Sequence, residues 1–221
     1  MPSTLAQLEA RVAARLGDPT NAIYSLATLD EALRSALAEY NAVLPLSAET
    51  VITLPGAGRE IALSGLAGLL SVSAVWWPYD STGSEAWPPA EPPGFRVWWD
   101  DAQPVLILNS KTGSQPQAGD ELRLWYTKLH TIQNLDSGAA TTLFVPHESG
   151  LVTGAAGYAA LAQAVSQIGT VRLDQQEVPD LNKWAAARLA EYRAWLTTLK
   201  ASAPSLGEPY GAGWRMDKWE G

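Results

Sequence analysis

The sequence contains no cysteine, which excludes disulfides and thiolate metal sites and suits a protein assembled inside a cell. Histidine is nearly as scarce. His130 and His147 are the two present, so there is little material for a histidine metal site or a general base. Basic side chains are in the minority, 15 Lys and Arg against 23 Asp and Glu, for a net charge of −8. Sequence-specific nucleic-acid binding needs a basic patch, and none is visible. Long apolar runs are missing too. The segment from Gly150 to Ile168 comes nearest to the roughly 18 uncharged residues of a membrane span, but Gly, Ser, Thr and Gln interrupt it. The opening MPSTLAQLEARVAARLGD has neither a basic start nor an apolar core, so no secretory signal is expected there, and a soluble chain without a membrane partner is expected. What is present is 47% apolar residues over 221 positions, enough for one large or two small cores without staples.

The periodicity divides the chain into zones. In residues 1–46, Leu5, Leu8, Val12 and Leu16 form one helical stripe that Gly17-Asp18-Pro19 ends. A second helix is expected to open at Thr28, where Thr28 and Glu31 match a capping box, with Leu29, Leu33, Leu37 or Ala36, and Tyr40 as its stripe. Residues 47–145 change period. Strands are expected at Val51–Leu54 and Glu60–Leu63, joined by Pro55-Gly56-Ala57-Gly58, and at Leu70–Trp77, Phe95–Trp99, Val105–Leu108 and Glu121–Leu129. The stretch STGSEAWPPAEPPG predicts an exposed loop because prolines cannot join a ladder. Residues 146–202 return to helix. One run from Pro146 to about Ile168 is crowded with Gly150, Gly154, Gly157 and alanines, and another, Pro179–Ala201, carries Leu181, Trp184, Ala185, Arg188, Leu189, Tyr192, Trp195 and Leu199 on one broad face. Residues 203–221 are an extended, glycine-rich arm. The fold class is therefore α+β: a helical bundle of two N-terminal and two C-terminal helices, an inserted antiparallel β-sandwich or barrel, and a C-terminal tail.

Catalytic patterns are weak. His147 with Ser149, or His130 with Asp136, could begin a triad, but neither serine context is a nucleophile elbow. His147-Glu148-Ser149-Gly150 lacks the second histidine of a zinc helix. Gly56-Ala57-Gly58 lies between strands and reads as a tight turn rather than a phosphate loop, and Asp100-Asp101 reads as hairpin-loop chemistry. No catalytic residue, metal or cofactor is expected, and both histidines are expected at the surface or at caps. The odd feature is ten tryptophans against two phenylalanines. Trp76, Trp77, Trp87, Trp98, Trp99 and Trp125 fall in or beside the β zone. Adjacent tryptophans on a strand cannot both face the core, so Trp77, Trp87 and Trp99 are expected as exposed contact residues. Tyr210, Trp214 and Trp219 sit in an arm too glycine-rich to fold alone, so the arm is expected to dock on something. The helix bearing Gly150, Gly154 and Gly157 is expected at helix–helix or subunit contacts.

The order of the motifs resembles the head-to-tail adaptor, or neck connector, subunits of tailed bacteriophages. The residues that carry the likeness are Arg15-Leu16-Gly17-Asp18-Pro19, Leu29–Leu33 through Glu39-Tyr40, the strand Gly119-Asp120-Glu121-Leu122-Arg123-Leu124-Trp125-Tyr126 with Leu129-His130-Thr131, the segment Thr141-Thr142-Leu143-Phe144-Val145-Pro146-His147-Glu148, and Gly154–Ala160. The resemblance implies a non-enzymatic virion protein of the neck, assembled in the host cytoplasm. It implies a homo-oligomeric ring, a dodecamer in such families, bound beneath the portal protein, docking a tail-proximal protein below and passing double-stranded DNA without sequence-specific binding. It also implies that the terminal arm with Tyr210, Trp214 and Trp219 reaches the portal, with the Gly150, Gly154 and Gly157 helix at subunit contacts. An acidic surface aids solubility and would equally suit a conduit that DNA must not stick to. The competing expectation is a carbohydrate- or receptor-binding β module flanked by helices. A small hydrolase using His147 is a third.

Overall fold

The computed structural model describes residues 1–81, 93–101, 103–109, 114–168 and 177–202. Two compact units result: a helical one, Met1–Pro45 with His130–Pro204, and a β unit within Leu46–Leu129. The chain is α+β.

In the helical unit, α1 (Leu5–Arg15) opens with a capping box the sequence also encodes, Thr4 with Gln7. Gly17 takes φ +74 just past its end, a conformation glycine adopts without strain. Asp18 is buried, and its carboxylate accepts from the backbone N–H groups of Ala22, Ile23 and Tyr24 at 2.7–2.9 Å. This fixes the connection, so α2 (Leu26–Val43) starts early. Its cap is Ser25, whose hydroxyl accepts from Thr28 N–H. The expected Thr28 cap thus lies inside the helix, because Asp18 has already ordered the backbone up to Tyr24. Leu29, Leu33, Ala36, Leu37 and Tyr40 are buried as the stripe predicts.

A 3-10 turn (Val145–His147) leads into α3 (Glu148–Ile168), and α4 (Glu177–Ser202) packs along it. Ala155, Ala156, Ala159, Ala160 and Ala164 are fully buried. The glycines of α3 form a bare stripe against α4. A Cβ built on Gly150 would sit 2.6 Å from the Trp195 ring, on Gly154 2.7 Å from Tyr192, and on Gly157 2.9 Å from Leu189. The helical unit also claims His130–Phe144, which the zone boundary at 145 assigned to the β domain. Ile132, Leu135 and Leu143 are buried in the helical core, which is why the segment belongs there.

The β unit comprises β1 (Leu46–Thr53), β2 (Glu60–Ala62), β3 (Leu69–Tyr79), β4 (Gly94–Asp100), β5 (Gln103–Asn109) and β6 (Glu121–Lys128). They form two antiparallel three-stranded sheets, ordered β1-β6-β3 and β2-β5-β4. The strands flanking Pro55–Gly58 therefore part company into different sheets. Leu122, Leu124 and Tyr126 alternate inward on β6 and join Leu54, Ile61, Val75, Trp77, Leu106 and Leu108 in one core. Asp100 pairs with Gln103 across the β4–β5 hairpin, with Asp101 at φ +41, the turn geometry Asp tolerates.

Filling the glycine stripe should be costly. Gly154→Leu is expected to destabilise the protein by about 3 kcal/mol or more through overpacking against Tyr192, read as a lowered melting temperature. Glu9 on α1 is pushed up to about 7, first by burial and then by its hydrogen bond with Asp30 on α2. Its folded form holds a proton that the unfolded chain, near 4.5, releases, so stability falls as pH rises through that interval. Glu9→Gln should therefore raise the melting temperature more at pH 8 than at pH 5.

Candidate functional site

Residues from three of the motifs, Tyr40, His130, and Thr142 with His147, meet in one polar joint of the helical unit. Asn41, near the end of α2, accepts from His130 N–H at 2.7 Å and donates to the His130 carbonyl at 3.4 Å. The His130 ring is buried, its Nδ1 lies 3.0 Å from the Thr142 carbonyl, and its edge meets the Tyr40 ring. The Tyr40 hydroxyl sits 2.7 Å from His147 Nδ1. Burial lowers the pKa of both histidines, so both stay neutral near pH 7 and act as fixed hydrogen-bonding rings. One shell further out, Glu148 accepts from the Ser3 backbone N–H and hydroxyl at 2.7 Å and from Arg11 at 2.6 Å. Its side chain is only 3% exposed. Burial alone would raise the Glu148 carboxyl, but the Ser3 hydrogen bonds and Arg11 outweigh it and hold the carboxyl below its ordinary range.

The triad readings do not assemble. His147 is engaged with Tyr40, while the Ser149 carbonyl accepts from Thr153. Asp136 is bound by Arg34 at 2.8 Å, not by His130. The expectation of surface histidines is corrected for His130, which the joint encloses.

Aromatic contact surfaces lie in the β unit. Trp77, expected outside, is 7% exposed. The alternation of β3 turns it into the core, where its Nε1 donates to Asp120 at 3.3 Å. Its neighbour Trp76 takes the other face, as adjacent strand positions must. There Arg123 lies over Trp76, Tyr79 and Trp125 at 5.6, 5.5 and 4.8 Å and pairs with Glu49 at 2.9 Å. This cation–π cluster on strands β3 and β6, stitched to β1, was legible only in part, through the outward alternation of Arg123 and Trp125. Trp76 and Trp125 are tilted by 59°, which does not make the flat platform a sugar ring stacks on. Trp99 is 52% exposed, and Trp98 beside it is 60% exposed. Trp87, Tyr210, Trp214 and Trp219 lie outside the described residues.

Gly150, Gly154 and Gly157 do line a helix–helix contact, but the partner is α4 of the same chain. Within this chain Trp195, Tyr192 and Leu189 fill the stripe. Two grooves lie open among the described residues of the helical unit. One, of about 640 Å³, lies between α2 and α3 and includes Ala27, Glu31, Leu161 and Val165. The other, of about 490 Å³, lies between α2 and α4 and includes Ala42, Val43, Leu196 and Lys200. Among the described residues no group of acidic or histidine side chains could hold a metal ion, and no helix is long and apolar enough to cross a membrane.

No protein-family model matches the chain, and no curated protein matches it. Among solved structures, it is similar to a chain in the virion of a native gene transfer agent particle, at 20% identity and a TM-score of 0.32, covering 81% of this chain and 86% of that one. It is similar also to a chain in the neck of the native particle computed with C12 symmetry, at 19% identity and a TM-score of 0.30, covering 83% and 92%. At such TM-scores the likenesses decide nothing about this chain.

Removing Glu148 should loosen the joint's outer shell. Glu148→Ala is expected to cost about 1–3 kcal/mol at neutral pH. Because the folded carboxyl titrates below its ordinary value, the gap from wild type should narrow as acid protonates it. Chemical denaturation across a pH series checks both.

Proposed function

We propose that this chain is a structural protein of a phage-like virion neck, a non-enzymatic adaptor whose copies form a ring between portal and tail. The single observation that carries the reading is the convergence of the shared motif residues. Tyr40 and His147, 107 positions apart, share a hydrogen bond, and His130, held at Thr142, meets the Tyr40 ring. Three of the motifs whose order resembles neck adaptors thus share one joint of the helical unit, and both histidines are committed to structural hydrogen bonds. A mechanical role follows from chemistry of this kind: hold a rigid helical frame and present contact surfaces.

On this reading the exposed Trp98 and Trp99 meet other proteins, because paired indoles left in water are characteristic of interface anchors. The arm with Tyr210, Trp214 and Trp219 contacts the portal, and a tail-proximal protein docks on the opposite side of a dodecameric ring. The net charge of −8 leaves the lumen of that ring repulsive to DNA phosphates, so DNA passes without sticking.

The test is direct. The full chain mixed with the portal protein of its particle, imaged by negative-stain electron microscopy, should yield rings capping the portal. Portals that stay bare would sink the adaptor role. Deleting residues 204–221 should abolish attachment, and undiminished binding by the shortened chain would reject the arm's part in it.

A further inference from the structure

Two exposed features among the described residues carry complementary charge. One is the tip of the β4–β5 hairpin. Trp98 and Trp99 are 60% and 52% exposed there, and Asp100 and Asp101 follow them. Neither carboxylate has an ion-pair partner among the described residues. The other is the α2–α4 groove of about 490 Å³, lined by the apolar Ala42, Val43 and Leu196 and by Glu39, Arg193 and Lys200. Glu39 is neutralised there by Arg193, at 2.7 Å, and accepts from the Tyr158 hydroxyl at 2.5 Å. Lys200 has no acidic partner among the described residues, so the groove presents apolar surface beside an unpaired cation. The tip presents apolar surface beside unpaired anions.

We propose that the Trp98–Trp99 tip of one copy docks in the α2–α4 groove of a second copy, with Asp100 and Asp101 facing Lys200. Charge selects between the two grooves. The larger one, between α2 and α3, has no cation in its lining, and its Glu31 is already paired with Arg34 at 3.2 Å, so it offers the tip carboxylates no partner. Adjacent strand residues point to opposite faces, so one indole enters the groove and the other covers its margin. Indoles suit this task because they bury much area while freezing few rotatable bonds. Tip and groove are different patches, so the contact is heterologous. Repetition of such a contact with a closing rotation generates a ring. The inference deepens the ring reading above, on which it rests for closure, by naming the surfaces that join neighbouring copies.

The absence of cysteine makes disulfide trapping specific. Gln103→Cys at the tip and Thr197→Cys at the groove are made as separate variants of the full chain, mixed, and oxidised, with and without the portal protein. A disulfide forms only where Cα atoms approach within about 7 Å, so a mixed covalent dimer in either condition is the expected result. A chain carrying both substitutions should give a ladder of covalent multimers. Adding Trp98→Ala with Trp99→Ala should cut the yield by about tenfold or more, the loss typical of a central aromatic anchor. Lys200→Glu should lower it as well, and Asp100→Lys with Asp101→Lys should restore it, a charge exchange that nonspecific collision would not reward. No mixed dimer in either condition overturns the proposal, as does a doubly substituted chain that closes on itself as a covalent monomer. Rings on the portal without the cross-link would reject this contact and leave the adaptor reading standing. Cross-linked multimers that ignore the portal would do the reverse.

Discussion

The helical unit depends on side chains that are missing. Gly150, Gly154 and Gly157 leave one strip of α3 bare, and Trp195, Tyr192 and Leu189 of α4 lie directly against it. Each glycine in a helix interior forgoes about 1 kcal/mol relative to alanine, so the stripe makes sense only as a docking surface. Seating Tyr192 there lets its hydroxyl donate to the Ala36 carbonyl at 2.6 Å, which ties α4 to α2 as well. Trp195 stacks with Tyr192 at 5.8 Å and with Tyr40 at 6.2 Å, and meets the His147 ring edge-on at 5.6 Å. The bare strip of α3 therefore reaches, through an aromatic stack, to the polar joint of Tyr40, His130 and His147.

The β unit solves a different problem with the same residue type. Five of the ten tryptophans lie on its strands, more than one small core absorbs, and the strands distribute them by alternation. Trp77 turns inward and donates to Asp120, Trp76 and Trp125 flank Arg123 on the outer face, and Trp98 and Trp99 stay at the hairpin tip. An indole beside a guanidinium is satisfied within its own sheet, whereas an indole at a bare tip is not. That contrast separates stabilising aromatics from those available to a partner.

Local periodicity made most of the architecture legible. The Leu29, Leu33 and Tyr40 stripe, the inward Leu122, Leu124 and Tyr126, and the Asp100–Gln103 hairpin follow from spacing and turn chemistry alone. What escaped depends on distant partners. The α2 cap moved to Ser25 because Asp18 organises the preceding backbone, a long-range effect that a capping box at Thr28 cannot register. The segment Thr131–Phe144 lacks a period, so nothing local shows that Ile132, Leu135 and Leu143 pack among helices. Which of two adjacent tryptophans faces inward is set by strand register, so local spacing does not reveal that Trp77 is the buried one. The glycines announced a close contact, but not that α4 of the same chain supplies it.

Asn41 grips His130 through both its amide oxygen and its amide nitrogen. One of these residues stands just before the chain leaves the helices, and the other stands where the chain comes back. The loop of sequence between them is thus cinched at its base by the helical frame itself. Whatever occupies that interval can change in length or surface without reopening the frame, much as a lamp can be exchanged in its socket. Diversification of the contact surface and preservation of the scaffold become separate evolutionary problems.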